Sequence, residues 1–474
     1  MKRFALLFAL PAFCIITLRA GSIYVSPAGN DSAEGTLTKP MKTPALAVRK
    51  LKAGDTLYFR EGRYFLTEQF AWHPSGQEGA PVVYTGFPGE KAVLDASAMQ
   101  LPVVERRQRP GLYHQGAMQL TGVHWLVIRN LIIEHSPLAG IGLWNSSHID
   151  VLNVTTNLTF APGICAWPGC EYIRVMGCTI TGANSHKMNR DTTRYPTSRE
   201  APHEALSMCA SHFEVAWNHI HHCDKEGIDV KETASHGKVH HNYIHHLARQ
   251  GLYVDSWFGK LEDIELYENV VHDCVTGFAV SAEGGPVADN IYFHHNLLYD
   301  NIGCGIFFSR WGKDNLRTNI VIKNNTVVHC GYGDGTANFW LRAGGCYLYS
   351  EKLYNIHIAD NVFCDNWPFQ IGVSSLLNKN DTLKSKMIRI EGNLIDDRVK
   401  GLTYPVYLEW PRDSAYRYDG ADALNARITF MASDQGNFTI KKLRPGSNTE
   451  VAKGAFPQII RQGFWWKESF PPEF

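Results

Sequence analysis

The chain has 474 residues, with 46 Lys and Arg against 46 Asp and Glu, so its formal net charge is zero. That balance gives no general attraction to nucleic acid or to an anionic membrane. A hydrophobic content of 44% with 41 glycines excludes a disordered chain, and a length above the usual ~100–200 residues per domain leaves several domains or one repetitive solenoid.

In chain order, Met1-Lys2-Arg3 precedes an apolar run from Phe4 to Leu18 that ends at Arg19-Ala20. A basic start, a short apolar stretch and a small residue are the pattern of a secretory signal peptide over residues 1–20. No later stretch is long and apolar enough to span a bilayer, so the expectation is an exported chain without a membrane span. Residues 22–60 should form an N-terminal cap. Within it, Pro44 to Leu51 reads as a short amphipathic helix plugging an open core, and Asp55 to Phe59 as the first strand.

From residue 126 onward one phrase recurs: apolar, x, apolar, x, x, Asn, then two or three apolar positions. It places Asn130, Asn153, Asn218, Asn242, Asn269, Asn296, Asn325, Asn361 and Asn393 in register, with Gly177 in the same slot of one copy. Alternating apolar residues broken by Asn and Gly mean short strands and tight turns. Most steps between copies are 23 to 29 residues, too short for a strand and a packed crossover helix. They suit one coil of a parallel β-helix, each strand pairing with its equivalent one coil away. The asparagines should then form an internal ladder. A second phrase, Gly then apolar-x-apolar, follows in each coil at Gly227, Gly251, Gly277, Gly305 and Gly345. It is a strand whose second and fourth residues after Gly face outward.

The fold expectation is therefore all-β: a single right-handed parallel β-helix of about ten coils over residues 21–474, closed by a cap over about 400–474. A monomer is the default. Of the 11 cysteines, the ten after Cys14 show no CxxC or zinc spacing and should be mostly free and buried, with Cys165 and Cys170 the one local pair able to bridge. His221, His245 and His272 should share one column, either as a stacked ladder or as ligands of a transition metal.

The opening IYVSPAGND, the segments AGDTLYFREGRY and PGEKAVLDAS, and the Asn coils resemble the pectate-lyase-like superfamily of extracellular β-helix proteins. The resemblance implies a polysaccharide as partner; it does not choose an activity, since this scaffold hosts several. The segment HHCDKEGIDVKE is similar to the acidic calcium-binding segment of the family-nine pectate lyases. That similarity implies a Ca²⁺ site at Asp224, Glu226 and Asp229, with a lysine base that corresponds to Lys260 or, chemically, to Lys231.

The outward positions of the second strand are neutral in early coils and charged in the middle ones. Lys231 and Asp255 should be cross-coil neighbours, with Glu283 one coil further on and Tyr253, Trp257 and Trp311 as exposed stacking platforms. Three functions follow from these residues. The first is β-elimination on a uronate-containing polysaccharide, with Lys231 or Lys260 as base and Arg310 stabilising the enolate-like charge. The second is glycoside hydrolysis by Asp255 and Glu283. The third is non-catalytic carbohydrate binding on the aromatic residues. The polar insertion between Gly182 and Ala205 should overhang this patch and shape it.

Overall fold

The computed structural model describes residues 20–102, 109–190, 192, 202–333, 343–378, 386–396, 406–408, 428–432 and 437–442. The expected signal segment and most of the expected C-terminal cap lie outside these residues. Of that cap, the described part includes an antiparallel pair, Thr429–Ala432 with Asn437–Lys442.

The chain winds as a right-handed parallel β-helix. One sheet stacks thirteen strands, from Ser22–Val25 to Arg389–Glu391, each pairing in parallel with its equivalent in the next coil. The remaining strands of each coil form a second, longer parallel sheet. Thirteen exceeds the ten copies of the Asn phrase, because the strands Ser22–Val25, Thr56–Phe59 and Val82–Gly86 form coils without it. The capping helix is present as Pro44–Ala47 followed by a 3₁₀ turn, Val48–Lys50, with Ala47 and Val48 fully buried.

Inward positions stack like on like, as period-2 patterning requires. Ile149 pairs with Ile173 and Ile173 with Phe213, while Val151, Val175, Val215 and Val239 follow two residues along. The second-strand glycines have no room for a side chain. A Cβ at Gly227 would lie 2.4 Å from the carbonyl oxygen of Gly251, and one at Gly277 would lie 2.6 Å from that of Gly305.

The asparagine column differs from its sequence reading by one residue at its start. Asn218, Asn242, Asn269, Asn296, Asn325, Asn361 and Asn393 are fully buried. Each from Asn218 to Asn361 donates its amide to the side-chain oxygen of the next, at 2.9–3.0 Å. Asn130 and Asn153 sit outside this column, on the exposed corner with φ of 56° and 50°, in line with Gly177 and Trp217. The internal slot in those coils holds Leu131, Val154 and Cys178, and Cys178 N–H ends the ladder on Asn218. Asn is favoured at both places for different reasons: left-handed backbone at the corner, amide pairing inside.

The ten described cysteines are free and buried, Cys165 and Cys170 included. His221, His245 and His272 do share a column, with ring centroids 5.3 and 5.0 Å apart and nearly parallel planes. Among the described residues, no helix is long and apolar enough to cross a membrane.

Candidate active site

The outward face of the second sheet carries, coil by coil, Trp144, Trp167, Cys209, Lys231, Asp255 and Ser281, each beside its neighbour in the register of the strands. Lys231 and Asp255 are direct register partners, as the repeat predicts. The face points outward from the strands, but its polar residues are not solvated. Asp229, Lys231, Glu232, Tyr253, Asp255 and Ser281 are all buried.

The end of the insertion completes the patch with one more carboxylate. Asn184 donates its amide to the carbonyls of Pro202 and His203, at 3.1 and 2.9 Å, fixing the segment that delivers Glu204. Glu204 accepts from Lys231 Nζ at 2.9 Å and from the Ser207 hydroxyl at 2.7 Å. The insertion thus supplies a site residue, as its position suggested, but Glu204 itself carried no motif. Residues 191 and 193–201 of the insertion lie outside the described residues.

Lys231 also lies 3.4 Å from Asp229 and 3.9 Å from Glu232. Neither oxygen of Asp229 has a hydrogen bond, so the 3.4 Å approach is an ion-pair contact without hydrogen-bond alignment. One ammonium cannot balance three carboxylates away from water. Burial works against the Lys231 charge, but Glu204, Asp229 and Glu232 outweigh it and hold the amine protonated. Burial also opposes ionisation of Glu204, yet Lys231 keeps it an anion. The remaining groups respond by taking protons. Burial raises Asp229 well above the carboxylate range and Glu232 to about 7.

A second relay runs beside the first. Ser281 Oγ lies 2.7 Å from Asp255, the Tyr253 and Ser281 hydroxyls are 2.7 Å apart, and Tyr253 donates to Glu283 at 2.5 Å. With the proton on Asp255, the donors run in one direction from Asp255 through Ser281 and Tyr253 to Glu283. Asp255 is pushed up to about 8, first by burial and then by the charge of Glu283. Burial raises Glu283 too, while the Tyr253 hydrogen bond and Lys231 favour its charge. Trp311 closes this end, edge-on to Tyr253 at 5.6 Å and to Phe307 at 5.5 Å. The turn bearing Trp311 is anchored by Arg317, which is wholly buried and bonds Asp314, Ser309 O and Asn315 O.

Other expected residues fall elsewhere. Lys260 is exposed on the first-sheet side and paired with Glu262 at 2.5 Å and Asp289 at 3.1 Å, away from the buried cluster. Arg310 is exposed, and the contact it makes is with Asp314, at 3.8 Å. Tyr253 is a buried hydrogen-bonding group rather than a platform, whereas Trp257 is 41% exposed at the corner after Asp255.

Calcium needs about six to eight oxygen ligands, and Asp224, Glu226 and Asp229 do not converge to give them. Asp224 is exposed and feels Lys187 and His186. Glu226 receives Arg249 at 2.9 Å, and Asp229 faces Lys231. Among the described residues, the three groups that bring ligand atoms within 4.8 Å of one another are Asp95, Glu134 and His135, where Arg63 bonds both carboxylates. The donor set at the acidic segment does not fit the ion, because lysine and arginine already fill the cation's place.

Residues 23–196 match the Pel9A-like right-handed β-helix region and residues 116–315 the general right-handed β-helix region. Pectate lyase PEL9 of Emericella nidulans is 39% identical over 80 residues, 17% of this chain and 20% of that protein, so the chain spans about a fifth of that relative. The uncharacterized protein YwoF of Bacillus subtilis is 26% identical over 354 residues, covering 64% of this chain and 69% of YwoF. Among solved structures, pectate lyase Pel9A aligns with a TM-score of 0.46 and 15% identity over 79% of this chain and 78% of its own. The XylC complex with xylose gives 0.46 and 12% over 86% and 87%. The PL6 family alginate lyase AlyGC gives 0.48 and 14% over 93% and 57%. These structural similarities concern the fold.

Proposed function

Starting from a right-handed parallel β-helix that resembles the pectate lyases in its N-terminal coils, we propose a carbohydrate-active enzyme that hydrolyses glycosidic bonds with Asp255 and Glu283. The observation that carries this is the Asp255–Ser281–Tyr253–Glu283 relay: two carboxyls on adjacent coils joined through two hydroxyls, both raised by burial, with a hydrogen bond from Tyr253 favouring the charge of Glu283 alone of the two. Two acids joined by a hydrogen-bonded chain can share one proton, so that one serves as proton donor while the other is an anion. In the resting site Asp255 keeps the proton, and Tyr253 stabilises the carboxylate of Glu283. Asp255 then protonates the departing glycosidic oxygen as the C1–O bond breaks. Glu283 either attacks C1 to form a glycosyl ester, which water activated by the now ionised Asp255 then hydrolyses, or takes a proton from a water that attacks C1 directly. The resulting stereochemistry follows from which. Work outside the cytoplasm would accord with the basic-apolar N-terminus.

The lyase reading has two observations in its favour, the sequence match over residues 23–196 and the 80-residue identity to a pectate lyase. The first of these stops short of Glu204, Lys231, Asp255 and Glu283. A lysine base must be neutral to accept a proton, and the carboxylates around Lys231 hold it charged.

The two chemistries leave different products. β-Elimination creates a C4–C5 double bond conjugated to the carboxylate; hydrolysis leaves saturated sugars. Purified protein screened on neutral and uronate polysaccharides should release reducing ends without new ultraviolet absorbance. Asp255→Asn and Glu283→Gln should each lower that rate by a factor of about 10² or more. Absorbance rising with digestion of a uronate polymer, or full activity in both variants, would overturn the proposal.

A further inference from the structure

The flank of the cluster toward the N-terminal coils holds a second set of side chains that the acid relay does not use. His114 is 8% exposed, and neither of its ring nitrogens has a hydrogen-bond partner. Buried polar atoms are almost always paired, so two on one ring mark a place where a partner is to be supplied. The ring is fixed against that deficit. It stacks on Trp167 with centroids 3.5 Å apart and planes 19° apart, and it packs at 3.9 Å on His203. Trp144 Nε1 donates to the His114 carbonyl at 3.3 Å, tying the segment down. Phe258, 67% exposed, meets Trp167 edge-on at 6.3 Å.

This group lies on the same outward face as the acid cluster. Trp167 stands two coils before Lys231, about 10 Å along the axis at the usual strand spacing, with the small buried residues Ser207 and Cys209 between them. His203 adjoins Glu204 in sequence, so one loop segment serves both places. The separation is the reach of a short saccharide chain rather than of a single sugar.

We propose that His114, Trp167 and His203 form a binding subsite for an uncharged sugar ring of the substrate. A neutral imidazole presents one donor and one acceptor, and a sugar hydroxyl is both. Both imidazoles are held neutral: burial takes His114 down to about 3, with the Lys231 charge adding to it, and burial likewise lowers His203. Among the described residues the cations acting on His203 and Glu204, Lys231 and Lys225, are already paired, the first with Glu204 and Asp229 and the second with Glu226. The Glu204 anion would repel a uronate. The subsite gives substrate class to the hydrolase reading and rests on that reading only for where the bond is cut.

The test is a tryptophan-fluorescence titration of full-length Asp255→Asn protein, which leaves the saccharide whole. The probes are cellotetraose, xylotetraose and mannotetraose, with tetragalacturonate as the charged counterpart. At least one neutral tetrasaccharide should bind and tetragalacturonate should not. Adding His114→Phe, which keeps the stack on Trp167 but removes both nitrogens, should raise Kd roughly tenfold with the melting temperature preserved. Trp167→Ala should weaken binding similarly. Failure of all three neutral probes, preference for tetragalacturonate, or unchanged Kd in His114→Phe would overturn the subsite. The two proposals fail separately. Full turnover in Glu283→Gln with a raised KM in His114→Phe sinks the hydrolase assignment alone. Lost turnover in Asp255→Asn with an unchanged KM in His114→Phe sinks the subsite alone.

Discussion

Lys231 Nζ lies 2.9 Å from Glu204 Oε1, both side chains nearly excluded from water. One comes from a strand of the solenoid and the other from the end of an insertion 27 residues earlier in the chain. Their contact fixes the insertion to the coils and sets the charge of everything around it.

Removing the lysine should therefore cost more than a surface ion pair. In Lys231→Met, Glu204 is left as a buried anion without a counter-charge, and about 3 kcal/mol or more of stability should be lost. Glu204→Gln should cost less, since Asp229 and Glu232 remain to hold the ammonium. Urea unfolding of the two variants checks the order; equal and small losses would make the pair a solvated contact.

Asp255 also makes a pH prediction. Its folded value of about 8 lies above the roughly 3.9 of an unfolded aspartate. Between those values the folded chain binds the proton and the unfolded chain does not. Its contribution to stability is therefore full below about pH 4 and is lost as pH rises through about 8. Glu232, raised to about 7, adds a drop of the same sign. The melting temperature should fall from pH 5 to pH 8, and less steeply in Asp255→Asn. A slope identical in both proteins would refute the assignment.

Activity should follow the same proton. Loss of the acid form of Asp255 predicts an alkaline limb in kcat/KM near pH 8, belonging to the coupled pair rather than to one residue. A rate that climbs steadily into the alkaline range would instead indicate an amine base.

Calcium should leave the melting temperature unchanged, since Lys231 and Arg249 occupy the places a cation would take. A rise with the ion that disappears in Asp229→Ala would return calcium, and the lyase chemistry with it.

The ladder can be tested apart from function. Asn242 accepts from the backbone and side chain of Asn218 and donates to Val215 O and Asn269. Asn242→Ala orphans buried groups on both neighbouring coils and should cost about 2–3 kcal/mol. Asn153→Ala, on the exposed corner, should cost much less, and thermal melts of the two compare them directly.

The solenoid was legible in the sequence because a repeat imposes one environment many times. Period-2 patterning, a Gly that excludes a side chain and an Asn that pairs with its own copy each recur at coil spacing. The same signal placed Lys231 beside Asp255 and Glu283 near both. It was ambiguous where two physical demands favour one residue type, which is why Asn130 and Asn153 read as ladder members rather than left-handed corners. Burial of the patch was beyond it. Periodicity tells which way a side chain leaves the strand, but aperiodic segments, such as those bearing Glu204 and Trp311, decide whether water waits there. Glu204, His203 and His114 reach the cluster from loops with no repeat to align them, so only the tertiary structure brings them in. Their low-dielectric setting is what raises Asp255, keeps Lys231 charged and leaves the nitrogens of His114 unpaired.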